Sequence, residues 1–110
     1  MAAKLPGQYV SILKRFKKFS EAFDNLGKAA RESGPLDLKT THLIKLAASA
    51  AIRSEGSVHS HARRALDAGA KPEEIYHAII LLASTIGFPT MSAALSWADD
   101  IIRARKRQKK

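Results

Sequence analysis

The 110-residue sequence contains no cysteine. That absence removes disulfides, thiol nucleophiles and thiolate metal ligands from its chemistry at once. Aromatic side chains make up only 6% of the chain, and none interleave with the basic C-terminal run RARKRQKK as a base-stacking platform requires. No apolar run reaches the roughly 18 residues that a membrane-spanning helix needs. The opening MAAKLPGQYV lacks the apolar centre of a secretory signal. No segment alternates apolar and polar residues, so no strand is expected. A cytoplasmic protein with no membrane association is the expectation from these absences.

Acidic residues are also few, ten against nineteen lysines and arginines, which leaves a formal charge of +9. The excess is confined to the ends. Five basic residues fall within 1–18 and six within 103–110, whereas 19–102 carries eight basic and ten acidic side chains. The interior is therefore close to neutral, and the tail RARKRQKK is read as a solvated terminus rather than a nucleic-acid surface. Nucleic acid is not an expected partner. The 45% apolar content is that of an ordinary globular chain, and the length allows one domain.

Apolar residues recur at helical spacing. Between Tyr9 and Ala30 they fall at Val10, Leu13, Phe16, Phe19, and Phe23 or Leu26, which predicts one helix before the break at Ser33-Gly34-Pro35. Asp37 suits the N-cap of a second helix by accepting from the Thr40 amide. That helix runs through Leu43, Ile44, Leu46, Ala47, Ala50, Ala51 and Ile52. A third is expected from about Ser57 to Ala68, with Gly69 as its stop. Pro72 with Glu73 and Glu74 opens a fourth, and a fifth begins near Pro89 and passes Trp97 to Ile102. The expected fold class is all-α, a compact bundle of about five helices. Residues 1–34 form an N-terminal helix, 35–102 the core, and 103–110 a basic tail on one overall domain. The segments 43–52 and 78–86 are apolar on more than one face, which calls for a partner subunit, so a homo-oligomer is expected.

Two long stretches, LDLKTTHLIKLAASAA and HARRALDAGAKPEEIYHAIILLASTIGFPTMSAALSWA, resemble the carboxymuconolactone decarboxylase family, which includes the alkylhydroperoxidases. The resemblance covers roughly residues 35–102. It rests on H-x-R-R-A-L-x-A-G from His61 to Gly69, the P-E-E-I turn from Pro72 to Ile75, and the glycine–proline break at 87–89. It implies a helical fold of the alkylhydroperoxidase type and assembly into dimers, trimers or hexamers. The family's redox branch carries Glu, eleven residues, then Cys-x-x-Cys-x-x-x-His. Aligned on His61, that motif places the second cysteine on Ser57, the first on Ser54 and the glutamate on His42. Serine can neither form a disulfide nor ionise readily, so cysteine-based peroxidase activity is not expected. The lactone decarboxylase branch does not depend on a cysteine pair. It implies proton transfer on a small cyclic carboxylate with loss of carbon dioxide.

The stretch SEGSVHSH at 54–61 is therefore the candidate site. His61 suits the role of general acid or base, with Ser57, Ser54 and His42 lining the same cavity. Arg53, Arg64 and Glu55 are assigned to the substrate pocket. A Ser57–His61 pair oriented by Glu55 would resemble a hydrolase nucleophile, and the competing reading makes Ser54 or Ser57 a helix cap. His59 and His61 are two positions apart and point about 200° apart on a helix, so they cannot share an ion. His42, His61 and a carboxylate form the conceivable metal set, against a reading of His42 as a first-turn surface side chain. Neither a metal nor a cofactor is expected. His77 has no constellation around it. Met91, Phe88 and Trp97 read as core or subunit interface, and Tyr76 as a residue at a pocket mouth. The functional expectation is a non-redox, lyase-type enzyme acting on a small carboxylated or lactone-like molecule. The alternative is a non-catalytic oligomeric binding or structural protein with a degenerate site.

Overall fold

The computed structural model describes residues 5–108. Among these, every regular element is a helix. The chain divides between Pro35 and Leu36 into two compact units. Lys4, Lys109 and Lys110 of the two basic ends lie outside the described residues.

In the first unit, α1 (Gly7–Arg15) and α2 (Lys17–Arg31) replace the single helix expected from the hydrophobic spacing. The break is at Phe16, whose backbone angles of φ −129° and ψ 67° are not helical. No glycine or proline marks this position, so the three-to-four apolar rhythm runs through it unbroken. On α2 the Phe19 and Phe23 rings stack with centroids 5.9 Å apart, and both remain more than half exposed, as does Leu26.

The second unit contains α3 (Leu38–Ala51), α4 (Glu55–Asp67), α5 (Pro72–Ile80), the single turn α6 (Ala83–Ile86) and α7 (Phe88–Gln108). Its start signals behave as expected. Asp37 Oδ1 accepts from the Thr40 amide at 2.8 Å, satisfying one of the orphan donors of α3. Ser54, not Ser57, is the N-cap of α4, so this helix begins two residues earlier than expected. At α5, Glu74 reaches back to the Lys71 amide at 2.9 Å. Its other oxygen pairs with Lys39 on α3, also at 2.9 Å, so one carboxylate ties together the starts of two helices. The stretch 78–86 is not one helix. Leu82 donates to the Ile79 carbonyl three residues back, a tightening that separates α5 from α6. At the far end, residues 103–108 continue α7, where Arg105, Lys106 and Arg107 complement the negative end of the helix dipole.

Buried positions follow helical spacing on each facing surface: Leu46 and Ala50 on α3; Val58, Ala62 and Ala65 on α4; Ile75 and Ile79 on α5; Met91, Ala94, Ala98 and Ile102 on α7. With Ala70, six of these twelve core residues are alanine. Small side chains at crossing points let helix backbones approach closely, and α3 packs more extensively on α4 than on any other element. Met91 is core and Trp97 packs partly buried against it, whereas Phe88 is 67% exposed.

Helices α3 and α4 end in the same way with different residues. At α4, Gly69 takes φ +99°, with the Ala70 amide bonding to Ala65 and the Gly69 amide to Leu66. At α3, Arg53 takes φ +55°, with the Ser54 amide bonding to Ser49 and the Arg53 amide to Ala50. Both are left-handed caps of the kind that favours glycine. Arg53 accepts the backbone strain and donates to Thr90 Oγ1 at 2.8 Å. A Cβ at position 69 would meet nothing within 4 Å, so Gly69→Ala should cost about 1 to 2 kcal/mol from backbone conformation alone. Arg53→Gly should leave stability unchanged or raised, because relief of strain offsets the lost exposed hydrogen bond. Denaturant unfolding of the two variants checks this asymmetry.

Candidate functional site at the α3–α4 junction

The close contact of α3 with α4 brings together polar side chains far apart in sequence. His42 and Ser49 lie seven residues apart on α3, so both face the same side of the helix. Ser57 and His61 lie one turn apart on α4. The two helices then align these pairs. His42 Nδ1 and His61 Nδ1 are 3.3 Å apart, with ring centroids at 5.5 Å and planes inclined by 30°. Ser49 Oγ and Ser57 Oγ are 2.6 Å apart.

The directions of these hydrogen bonds follow from proton counting. Ser49 Oγ donates to the Lys45 carbonyl at 2.7 Å. A serine hydroxyl has one proton, so Ser49 must accept from Ser57. The Ser57 proton is therefore held by Ser49, and the hydrolase-like Ser57–His61 relay is not formed in this structure. Ser57 also donates its backbone amide to Ser54 Oγ at 3.4 Å, which makes Ser54 a cap. At the histidine pair, a hydrogen bond needs one Nδ1 with a proton and the other with a lone pair. The two rings thus share a single Nδ1 proton and cannot both carry one there without breaking the contact.

His42 is only 6% exposed, which corrects its reading as a first-turn surface residue. Its position near the start of α3 suggested exposure, but the close packing of α4 covers it. Burial pushes the His61 imidazole down from 6.5 to about 4, with repulsion from Arg64, His42 and Lys45 adding to the effect. At neutral pH His61 is therefore uncharged in a locally cationic setting. Arg64 is exposed, three residues beyond His61, and acts on that ring through its charge.

The other expected site residues take different places. Arg53 is exposed and engaged with Thr90 on α7. Glu55 is exposed at the start of α4 and clusters with His59 and Asp100 instead. His59 points away from His61, its Nε2 lying 3.0 Å from Asp100 Oδ2 on α7. Tyr76 donates to Asp99 Oδ1 at 2.7 Å, an interhelical tie between α5 and α7. His77 is exposed. Sequence reasoning missed Lys45 and Ser49. Ser49 could have been found as the one hydroxyl two helical turns beyond His42 on the buried face.

The His61 environment has a consequence for folding. Above about pH 6.5 the ring is neutral in both folded and unfolded chains. Between 6.5 and about 4 only the unfolded chain takes up the proton, so stability is lost as the pH falls through that window. Proton NMR should show the His61 ring titrating near 4. His61→Gln should lose less stability than wild type between pH 7 and 4.5 in parallel unfolding experiments.

Comparison with known proteins agrees with this architecture. The profile of the Carboxymuconolactone decarboxylase family matches residues 17–100. An uncharacterized protein of Haemophilus influenzae is 40% identical over 52 residues, a match spanning 47% of this chain and 46% of that protein, under half its length. Among solved structures, the apo form of a carboxymuconolactone decarboxylase family protein from Legionella pneumophila superimposes with a TM-score of 0.73. It is 25% identical, with 86% of this chain and 87% of that one covered. A proposed carboxymuconolactone decarboxylase of Burkholderia xenovorans shares the fold at a TM-score of 0.71 and 21% identity, covering 96% and 85% of the two chains. With the family match spanning most of its length and the same helical fold recurring in these proteins, the chain belongs to the carboxymuconolactone decarboxylase family.

Proposed function

We propose that this protein is a non-redox member of its family that binds a small carboxylated or lactone-like molecule beside His61 and uses that residue as a general acid or base. The observation that carries the reading is the His42–His61 contact, 3.3 Å between Nδ1 atoms, set among the charges of Arg64 and Lys45. Those cations oppose protonation of His61. A carboxylate bound among them would offset their field, raise the affinity of His61 for a proton, and bring the ring toward the neutral range in which proton transfer is efficient. Ligand binding and activation of His61 are coupled in this reading. Lyase-type loss of carbon dioxide from a small cyclic acid is the reaction class, and His42 supplies or receives the shared proton. Cysteine chemistry is closed to this chain, which has none.

A second reading, a non-catalytic oligomeric binding protein, draws on two observations. The Ser57 proton is committed to Ser49, and without a ligand His61 is a weak base at neutral pH. Both readings include a homo-oligomer. Within the second unit, Ile44, Ile52, Ile80, Leu81 and Phe88 are each 47% exposed or more, apolar surface that a partner subunit would cover. A cytoplasmic location belongs to the same proposal. No helix among the described residues is long and apolar enough to cross a membrane.

A screen of small lactones and carboxylic acids against wild type and His61→Ala separates the readings. The enzyme reading predicts turnover that falls about 100-fold or more in the variant, and a His61 titration that moves upward when the acid binds. Binding without turnover supports the second reading, and a His61 titration unmoved by every acid contradicts the first. Light scattering should give a mass of at least two chains, and Leu81→Glu should lower it. A monomeric wild type would contradict the oligomer.

A further inference from the structure

Outside the two-histidine site, one other group of ligating side chains converges among the described residues. Glu55 and His59 lie one turn apart on α4, and Asp100 projects toward them from α7. One ligand atom from each falls within 4.8 Å of the others. We infer that Glu55, His59 and Asp100 form a binding site for a zinc-class divalent transition ion between α4 and α7.

The ligand chemistry selects the ion. One imidazole with two carboxylates suits zinc and its borderline neighbours, whereas calcium and magnesium take oxygen ligands almost throughout. Two carboxylates with a neutral imidazole balance a divalent charge. Tetrahedral coordination at zinc bond lengths places donor atoms about 3.3 Å apart. His59 Nε2 and Asp100 Oδ2 are already at 3.0 Å, so closure on an ion requires chiefly a rotation of the exposed Glu55 side chain. That carboxylate has no ion pair among the described residues. Arg103, one turn along α7 from Asp100, reaches Asp99 instead, at 3.9 Å, leaving Asp100 to His59.

The framework is rigid where a site needs it. His59 is flanked on α4 by the fully buried Val58 and Ala62, and Asp100 on α7 by Ala98 and Ile102, at most 1% exposed. Three protein ligands leave a fourth position on the ion open to solvent, as in sites that bind a water or an exogenous ligand. The site lies on the opposite side of α4 from His61, since positions 59 and 61 diverge by about 200°, so it is independent of the proposed acid–base site.

The test uses the full chain without an affinity tag, stripped with a chelator and titrated with cobalt(II) followed by absorption and with zinc(II) followed by calorimetry. One saturable equivalent is expected, together with a rise in the unfolding temperature on adding zinc. Glu55→Gln, His59→Gln and Asp100→Asn should each weaken binding about 10-fold or more, whereas His42→Gln and His61→Gln should leave it within about twofold. Glu55 is exposed, so its variant keeps the test informative even where His59→Gln fails to fold. Absence of saturable binding at millimolar ion, or a loss that follows His42 or His61 rather than Glu55, His59 and Asp100, would overturn the inference.

Discussion

The two-histidine site depends on how closely α3 and α4 can approach. Their buried residues include Leu46, Ser49 and Ala50 on α3 and Val58, Ala62 and Ala65 on α4. These are mostly small side chains, and bulkier residues there would separate the backbones. With the helices in close contact, two serine hydroxyls meet at 2.6 Å and two imidazoles at 3.3 Å. The same contact buries His42 and half-buries His61, and that burial is the leading cause of the lowered proton affinity of His61. Packing and electrostatics at the site are consequences of one interface.

The side chains at this contact differ in chemistry from the redox motif that the sequence resembles. In the redox motif to which this chain is similar, a dithiol would occupy positions 54 and 57 and a carboxylate position 42. Here Ser54 serves the backbone as a cap, and Ser57 donates into a hydroxyl chain that ends on the Lys45 carbonyl. An imidazole replaces the carboxylate as the partner of His61. A carboxylate there would favour an imidazolium; an imidazole shares one proton with its neighbour and adds repulsion once either ring is charged. A histidine at position 42 therefore opposes charge on His61 where a carboxylate would favour it.

Much of the fold was legible in the sequence. Asp37, Gly69 and Pro72 act through local backbone chemistry, which depends on few neighbours, whereas the alanine-rich α3, read as apolar on more than one face, is buried along one face and leaves Ile44 and Ile52 exposed. What escaped detection depended on tertiary contacts. The helix break at Phe16 carries no glycine or proline. Arg53 occupies a left-handed cap that sequence reasoning reserves for glycine, and it was assigned to a substrate pocket rather than to Thr90. The burial of His42 follows from the proximity of α4, not from its place near a helix start. Asp100 lies 41 positions from His59, so no local spacing could connect the two. Sequence did separate His59 from His61 by helical geometry, and the two rings indeed engage different helices.

The central claim is that His42 and His61 act as one unit sharing a single Nδ1 proton. Nitrogen-15 NMR of the imidazole rings at neutral pH reads this directly, because protonated and bare ring nitrogens have well-separated shifts. The account predicts one of the two rings protonated at Nδ1 and the other bare at Nδ1, with His42→Gln altering the His61 pattern. Bare Nδ1 atoms on both rings, with His61 insensitive to that substitution, would contradict it.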